Sequence, residues 1–217
     1  MMGKECIHTV VNGGGISSGS ACDICENIDS NITKPRLILH SCCGPCSTSV
    51  IERLAPDYNI SVFFYNPCIT DSEEYELRKK NQIKYINEFN EDNPFNTKIK
   101  FIEGSYDPRE YFDIASEYAS EPEGGKRCTV CFRQRLTGTA KYGKKHDFDM
   151  FATTLTVSPH KNYKLISELG NEIAEAEGIE FLDMDFKKKA GFQRSIELSK
   201  EHELYRQNYC GCEYSKR

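Results

Sequence analysis

The segment His40-Ser41-Cys42-Cys43-Gly44-Pro45-Cys46 constrains this chain more than any other. It places three thiols within five residues, directly after the apolar run Leu37-Ile38-Leu39. A buried strand that ends in a cysteine-rich turn puts soft ligands at the carboxyl edge of a sheet, where open α/β folds place their sites. Adjacent Cys42 and Cys43 have poor geometry for a mutual disulfide. They are well placed to face one metal centre, and thiolates select zinc, copper(I) or iron–sulfur clusters. Three buried structural cysteines is the plainer reading, weakened by the further thiols downstream.

The chain holds 11 cysteines in 217 residues, more than ordinary usage and fewer than a disulfide scaffold. The opening Met1-Met2-Gly3-Lys4-Glu5-Cys6 has no apolar signal core, and no run approaches transmembrane length. A cytoplasmic, membrane-free protein with reduced thiols is the expectation, and close cysteine pairs there bind metal or do redox work. A net charge of −5 argues against wholesale electrostatic binding to nucleic acid, but it leaves room for a local basic face.

Residues 1–34 read as a flexible extension around the glycine–serine stretch from Asn12 to Ser20. Cys22 and Cys25 form a C-x-x-C pair that, with Cys6 and His8, has irregular zinc spacing; incidental thiols in a loose tail is the favoured reading. From Pro35 to the end, strands and helices alternate. Strands are expected at 36–40, 60–65, 99–102, 150–157 and 179–184. Helices are expected at 47–54, 72–89, 108–118, 129–142, 161–177 and 193–202. Alternation of this length predicts a three-layer, Rossmann-like α/β/α domain with a mainly parallel sheet of about five strands.

The second thiol group is Cys128-Thr129-Val130-Cys131, where a helix is expected to begin. Two cysteines three apart share a helix face, and the helix N-terminus with Lys126 and Arg127 favours anionic sulfur. Cys42, Cys43, Cys128 and Cys131 thus form a four-thiolate set suited to zinc or to an iron–sulfur cluster. The adjacent Cys42-Cys43 pair is unusual for structural zinc and favours a cluster. A third group, Cys210-Gly211-Cys212, would close a very small, strained disulfide ring and suits thiol–disulfide cycling, with metal ligation as the alternative. Its place near the end of the sequence predicts a mobile pair.

Four stretches together resemble the epoxyqueuosine reductases of the QueH type: His40–Cys46, Gly125–Leu136, Thr153–Lys161 and Tyr205–Cys212. The resemblance covers about residues 35–215. It implies a nucleotide-α-hydrolase-like branch of the Rossmann folds. It also implies reduction of epoxyqueuosine to queuosine at the wobble position of tRNA, the final step of queuosine biosynthesis. A 4Fe-4S cluster on Cys42, Cys43, Cys128 and Cys131 would follow, with Cys210 and Cys212 as a redox-active pair. A second mononuclear iron would be a further cofactor, with Cys46 as a candidate ligand. The implied partners are tRNA carrying epoxyqueuosine and an electron donor. Cys68 matches no motif.

The chemistry asks for two electrons, a Lewis acid and a proton donor as the epoxide oxygen leaves as water. His40, Tyr106, Asp107 and His160 are candidate donors, although a buried, satisfied histidine is a common fate for either His. For tRNA, Lys126, Arg127 and Arg133 offer one basic group and Lys187-Lys188-Lys189 another, with aromatic rings for stacking. Two other classes compete. A sulfur-transferring or nucleotide-binding enzyme of related fold would want a phosphate loop, and Ser41–Cys46 is a poor cradle because Pro45 follows its glycine. A zinc-binding interaction module would be colourless where a cluster protein is brown.

Overall fold

Strand β1, Arg36–His40, is the centre of the domain, and its alternation decides which layer each neighbour joins. Leu37 and Leu39 face one side of the sheet and Ile38 the other. All three are fully buried, as expected for a strand covered on both faces. The computed structural model describes residues 34–93, 95 and 97–216. The expected extension, with Cys6, His8, Cys22 and Cys25, lies outside the described residues.

From β1 the chain runs through α1 (Gly44–Leu54), β2 (Asn59–Phe64), α2 (Ser72–Asp92), β3 (Lys100–Glu103), α3 (Pro108–Ala115) and α4 (Lys126–Lys145). It continues through β4 (Met150–Thr153), α5 (Tyr163–Glu177), β5 (Glu180–Phe181) and α6 (Gly191–Glu201). All four strand pairings are parallel, in the order β3-β2-β1-β4-β5. Leu37, Leu39, Val50, Ile51, Ile60, Val62, Tyr85 and Ile86 build one core under α1 and α2. Ile38, Phe63, Phe132, Leu136, Phe151, Ile166 and Leu169 build the other under α4 and α5. The result is the three-layer α/β/α fold that the strand–helix alternation predicts. Among the described residues no helix is long and apolar enough to cross a membrane.

The strand order reverses between β1 and β4, because the chain first fills the sheet outward on one side and then on the other. In open α/β sheets such a switch point leaves a crevice beyond the strand ends. The Cys42–Cys46 turn follows β1 at this crevice, and a short 3-10 turn at Thr154–Val157 follows β4.

Several boundaries differ from expectation for identifiable reasons. Helix α1 begins at Gly44, not Ser47, because Pro45 is tolerated in a first turn. Ser47 and Thr48 thus lie inside the helix, and their hydroxyls donate to the Gly44 and Pro45 carbonyls. The β4 strand stops at Thr153, whose hydroxyl accepts from the Leu155 amide and turns the apolar run into the 3-10 turn. Helix α2 buries Glu74, Tyr75, Arg78, Gln82, Tyr85 and Ile86 and leaves Leu77 exposed. Its buried face is therefore mixed: Ile86 is in the core and Phe89 packs against it, while Glu74, Arg78 and Gln82 bury polar groups beside them.

Gly44 sits where α1 meets α2. A Cβ at this position would lie 2.8 Å from the Asn81 carbonyl oxygen, so only glycine lets the two backbones approach this closely.

Candidate metal and redox site

The Cys42–Cys46 turn is fixed by buried polar contacts. Ser41 Oγ donates to Gln82 Oε1 at 2.7 Å, Gln82 Nε2 donates to Ser47 Oγ at 2.8 Å, and Asn66 Nδ2 donates to the Ser41 carbonyl at 2.8 Å. Because α1 starts at Gly44, Cys42 and Cys43 precede the helix and Cys46 lies in its first turn. The three sulfurs lie within 4.8 Å of one another, and no other three such ligand atoms among the described residues are grouped so closely. Cys42 accepts from Cys43 and Cys46, which pulls its thiol well below the usual range. Holding those bonds raises Cys43 to about 12 and raises Cys46 as well. The triad thus gives up one proton readily and the next with difficulty. Gln207 Nε2 donates to Cys43 Sγ at 3.0 Å.

Beside the triad are two cavities. One, of about 80 Å³, is lined by Cys68, Cys128, Cys131, Cys210 and Cys212, with Tyr111, Arg135 and Lys161. The other, of about 570 Å³, is lined by Cys42, Cys46 and Cys210, with Phe192, Arg206, Asn208 and Tyr209. His160, Lys161 and Cys210 belong to both linings. All eight cysteines of the described residues are free thiols, and all eight meet at this end of the sheet.

Cys128 and Cys131 are therefore in the same cavity wall but outside the close triad, which takes Cys46 as its third member. The expectation of a low thiol pKa at the start of α4 is not met by Cys131. Its neighbour Cys68 gives up the proton, at about 6, by accepting from Cys131, and Cys131 is pushed up in consequence. Cys68 arrives through Asn66-Pro67, just past the end of β2, the strand beside β1.

The Cys210–Cys212 loop is anchored, not mobile. Arg78, buried on α2 and paired with Glu74 at 2.6 Å, donates to the carbonyls of Cys210 at 3.0 Å and Tyr209 at 3.2 Å. The Thr70 amide donates to the Gly211 carbonyl at 3.2 Å. Gly211 has φ of 116°, a conformation that L side chains rarely adopt.

Of the candidate proton donors, His160 alone lines the cavities; it is exposed at their mouth. His40 is fully buried, with Nε2 donating to the Tyr65 carbonyl at 3.2 Å and Nδ1 accepting from Thr153 Oγ1 at 3.0 Å. Burial, with the Arg135 charge, depresses it to about 3, so it is neutral and fully satisfied, a structural histidine. Asp107 caps α3 and pairs with Arg109 at 2.6 Å, outside both cavity linings. Tyr106 donates to the Ile69 carbonyl at 2.9 Å.

The basic groups also divide. Arg127 is buried, donating to the carbonyls of Tyr118, Ala119 and Glu121 and lying over the Tyr214 ring, so it does not present a surface charge. Arg133 is exposed but makes a two-pronged pair with Glu172. Lys187 pairs with Asp185 at 3.6 Å. Lys126, Lys188 and Lys189 are exposed, and among the described residues they make no ion pair.

Sequence reasoning missed Arg135, Lys161, Arg78 and Cys68. The first was legible: Cys128, Cys131 and Arg135 follow i, i+3, i+7 spacing on one face of α4. Contacts of Arg78 to residues 131 and 132 positions away have no local signal.

The donor chemistry fits a thiolate-held metal centre: a close thiol triad, further thiols lining the adjoining cavity, and a buried cation, Arg135, in that cavity's wall. Residues 37–217 match the sequence model of the family described as Epoxyqueuosine reductase QueH. A Staphylococcus epidermidis protein named Epoxyqueuosine reductase QueH is 41% identical over 184 residues, 84% of this chain and 76% of that protein. Its Haemophilus influenzae namesake is 40% identical over 84% of this chain and 72% of its own length. The namesake from Thermotoga maritima is 34% identical over 82% of this chain and 89% of its own length. With thiol chemistry at the switch point and this likeness over most of its length, the chain belongs to the epoxyqueuosine reductase QueH family of oxidoreductases.

Proposed function

We propose that this protein reduces epoxyqueuosine to queuosine at the wobble position of tRNA, the last step of queuosine biosynthesis. The observation that carries the reading is the thiol-lined crevice at the β1/β4 switch point in a chain of this family. Cys42, Cys43, Cys128 and Cys131 would hold a 4Fe-4S cluster, and Cys46 would be available to a second iron. When bound, such a centre supplies single electrons and a Lewis acid for the epoxide oxygen. The protein's own residues do the rest. The 570 Å³ cavity receives the modified base, with Tyr209 and Phe192 as stacking surfaces. His160 at its mouth is the candidate that delivers a proton to the departing oxygen. Cys210 and Cys212 would pass on two electrons by closing to a disulfide, fed by an external donor.

Anaerobic incubation with epoxyqueuosine-bearing tRNA and a low-potential reductant tests the reading. Nucleoside mass spectrometry should show a product one oxygen lighter, and a brown protein containing both iron and sulfide. A colourless, zinc-loaded protein with no product would sink it. Lys188 and Lys189 are the proposed phosphate contacts. Neutralising both should weaken tRNA binding and reduce the slope of log affinity against log salt by about two, close to one per contact. An unchanged slope would put the tRNA on another face.

A further inference from the structure

Arg135 is an unusual cation. It is 2% exposed, yet among the described residues no carboxylate pairs with it. Its Nε donates to the Cys131 carbonyl at 3.3 Å, and its Nη2 is buried without a hydrogen-bond partner. The side chain lines the smaller thiol cavity, and its charge is felt by Cys131, Cys68, Cys210 and Cys42. The other two deeply buried arginines are better satisfied: Arg78 by Glu74 and two carbonyls, and Arg127 by three carbonyls on Nη1, although its Nε is also left without a hydrogen-bond partner. Lys161 stands where the two cavities meet, within electrostatic reach of Cys210, Cys42 and Cys46. Among the described residues Glu123 is the sole carboxylate in either lining, and it is exposed.

A buried guanidinium without an anion is costly, and a protein keeps one where negative charge is to be held. Thiolate sulfur and any centre it ligates are that charge. We propose that Arg135, with Lys161 at the rim, is a positioning residue that balances the charge of the thiol-held redox centre and raises its reduction potential. The inference rests on the iron–sulfur centre proposed above. Reduction of that centre takes one electron from an external reductant and adds one negative charge. A fixed guanidinium in the wall already offsets that charge, so no proton has to be taken up with the electron. The cation stabilises the reduced form more than the oxidised one, so its removal shifts the balance toward the oxidised form.

The test is a redox titration of the anaerobically purified holoprotein, followed by visible absorption and paramagnetic resonance, with iron and sulfide counted per chain. Arg135→Gln should keep its iron, while the reduced-to-oxidised ratio at the wild-type midpoint falls at least tenfold, a shift of 59 mV for one electron. Arg135→Lys, which keeps the charge, should stay within about threefold of wild type. Lys161→Met should shift the same way by less. Wild-type iron content with an unmoved midpoint in Arg135→Gln overturns the proposal. So does an Arg135→Lys shift as large as that of Arg135→Gln, which would make the role one of shape. Should Arg135→Gln fail to fold or to load iron, Lys161→Met decides: a negative shift supports the charge role and an unmoved midpoint overturns it. A wild-type protein without iron and sulfide would refute the cofactor reading first, before any variant is made, and this inference with it.

Discussion

The Cys42–Cys46 turn and the Cys210–Cys212 loop line the same 570 Å³ cavity, yet they are held by different kinds of structure. The turn is local. It follows β1 directly, starts α1, and is braced by Ser41, Gln82 and Asn66. The loop is borrowed. It has no strand or helix of its own at the cysteines, and its backbone carbonyls are gripped by Arg78 and Thr70 from elsewhere in the chain. A turn built into the sheet suits a permanently bound centre, whose ligands have to stay put. A loop held by a few long-range contacts suits a pair that changes partners during turnover.

That contrast is open to four tests. The largest effect is expected in the turn. Cys43→Ala should lose iron and lower turnover by more than about 10³-fold, the scale of removing a group on which the chemistry depends. Retained iron and sulfide would show that the turn is not where the centre is held.

Arg78→Met attacks the loop through its grip. It leaves Glu74 buried without its partner, which costs about 3–5 kcal/mol in a fully buried pair. Urea unfolding should register the loss, and limited proteolysis should open residues 205–216 while the iron content holds. Equal protection of that segment in the variant would mean that the loop is held by other contacts.

His40 gives the turn a pH signature. Unfolded, it titrates near 6.5; folded, it stays neutral down to about 3. Below pH 6.5 the unfolded chain takes up a proton that the folded protein refuses, so stability is full above 6.5 and declines as pH falls toward 3. The total is on the order of 5 kcal/mol. Comparing the pH dependence of unfolding for wild type and His40→Gln checks it: the variant should lose this part of the decline.

The smallest effect is in the loop thiols themselves. Cys210→Ser and Cys212→Ser should each keep iron and tRNA affinity while turnover with a dithiol-linked reductant falls by about 10²-fold. A low-potential reductant feeding the centre should restore part of it. Loss of iron in either variant would make the pair ligands and erase the contrast.

The same division explains what could be read from the sequence. The β1 strand, its cysteine turn and the sheet class follow from short-range signals: an apolar run, an i+1 thiol pair, and strand–helix alternation. The end of β4 was obscured because Met150–Val157 is an unbroken run of apolar residues and β-branched threonines, and a single Thr153 hydroxyl decides where strand gives way to turn. At the site, all the thiols except Cys68 were legible as motifs. Their grouping was not. Cys46 joins Cys42 and Cys43 because α1 begins at Gly44, three residues before its expected start at 47, which brings all three sulfurs to one end of the helix. Arg127 looks like a surface base in the sequence, and only the carbonyls of residues 118–121 curling over it reveal a buried one.

The contact at Gly44 has a consequence for how this turn can vary. Its missing side chain is a spacing device between two helix backbones, set by the Asn81 carbonyl 2.8 Å from where a Cβ would be. Backbone on α2 cannot rotate aside as a side chain would, so even alanine would wedge α1 outward and carry Cys42, Cys43 and Cys46 with it. Of the seven residues from His40 to Cys46, the one with no side chain is therefore among the least replaceable. It determines the gap between helices, while its neighbours determine what fills the cavity.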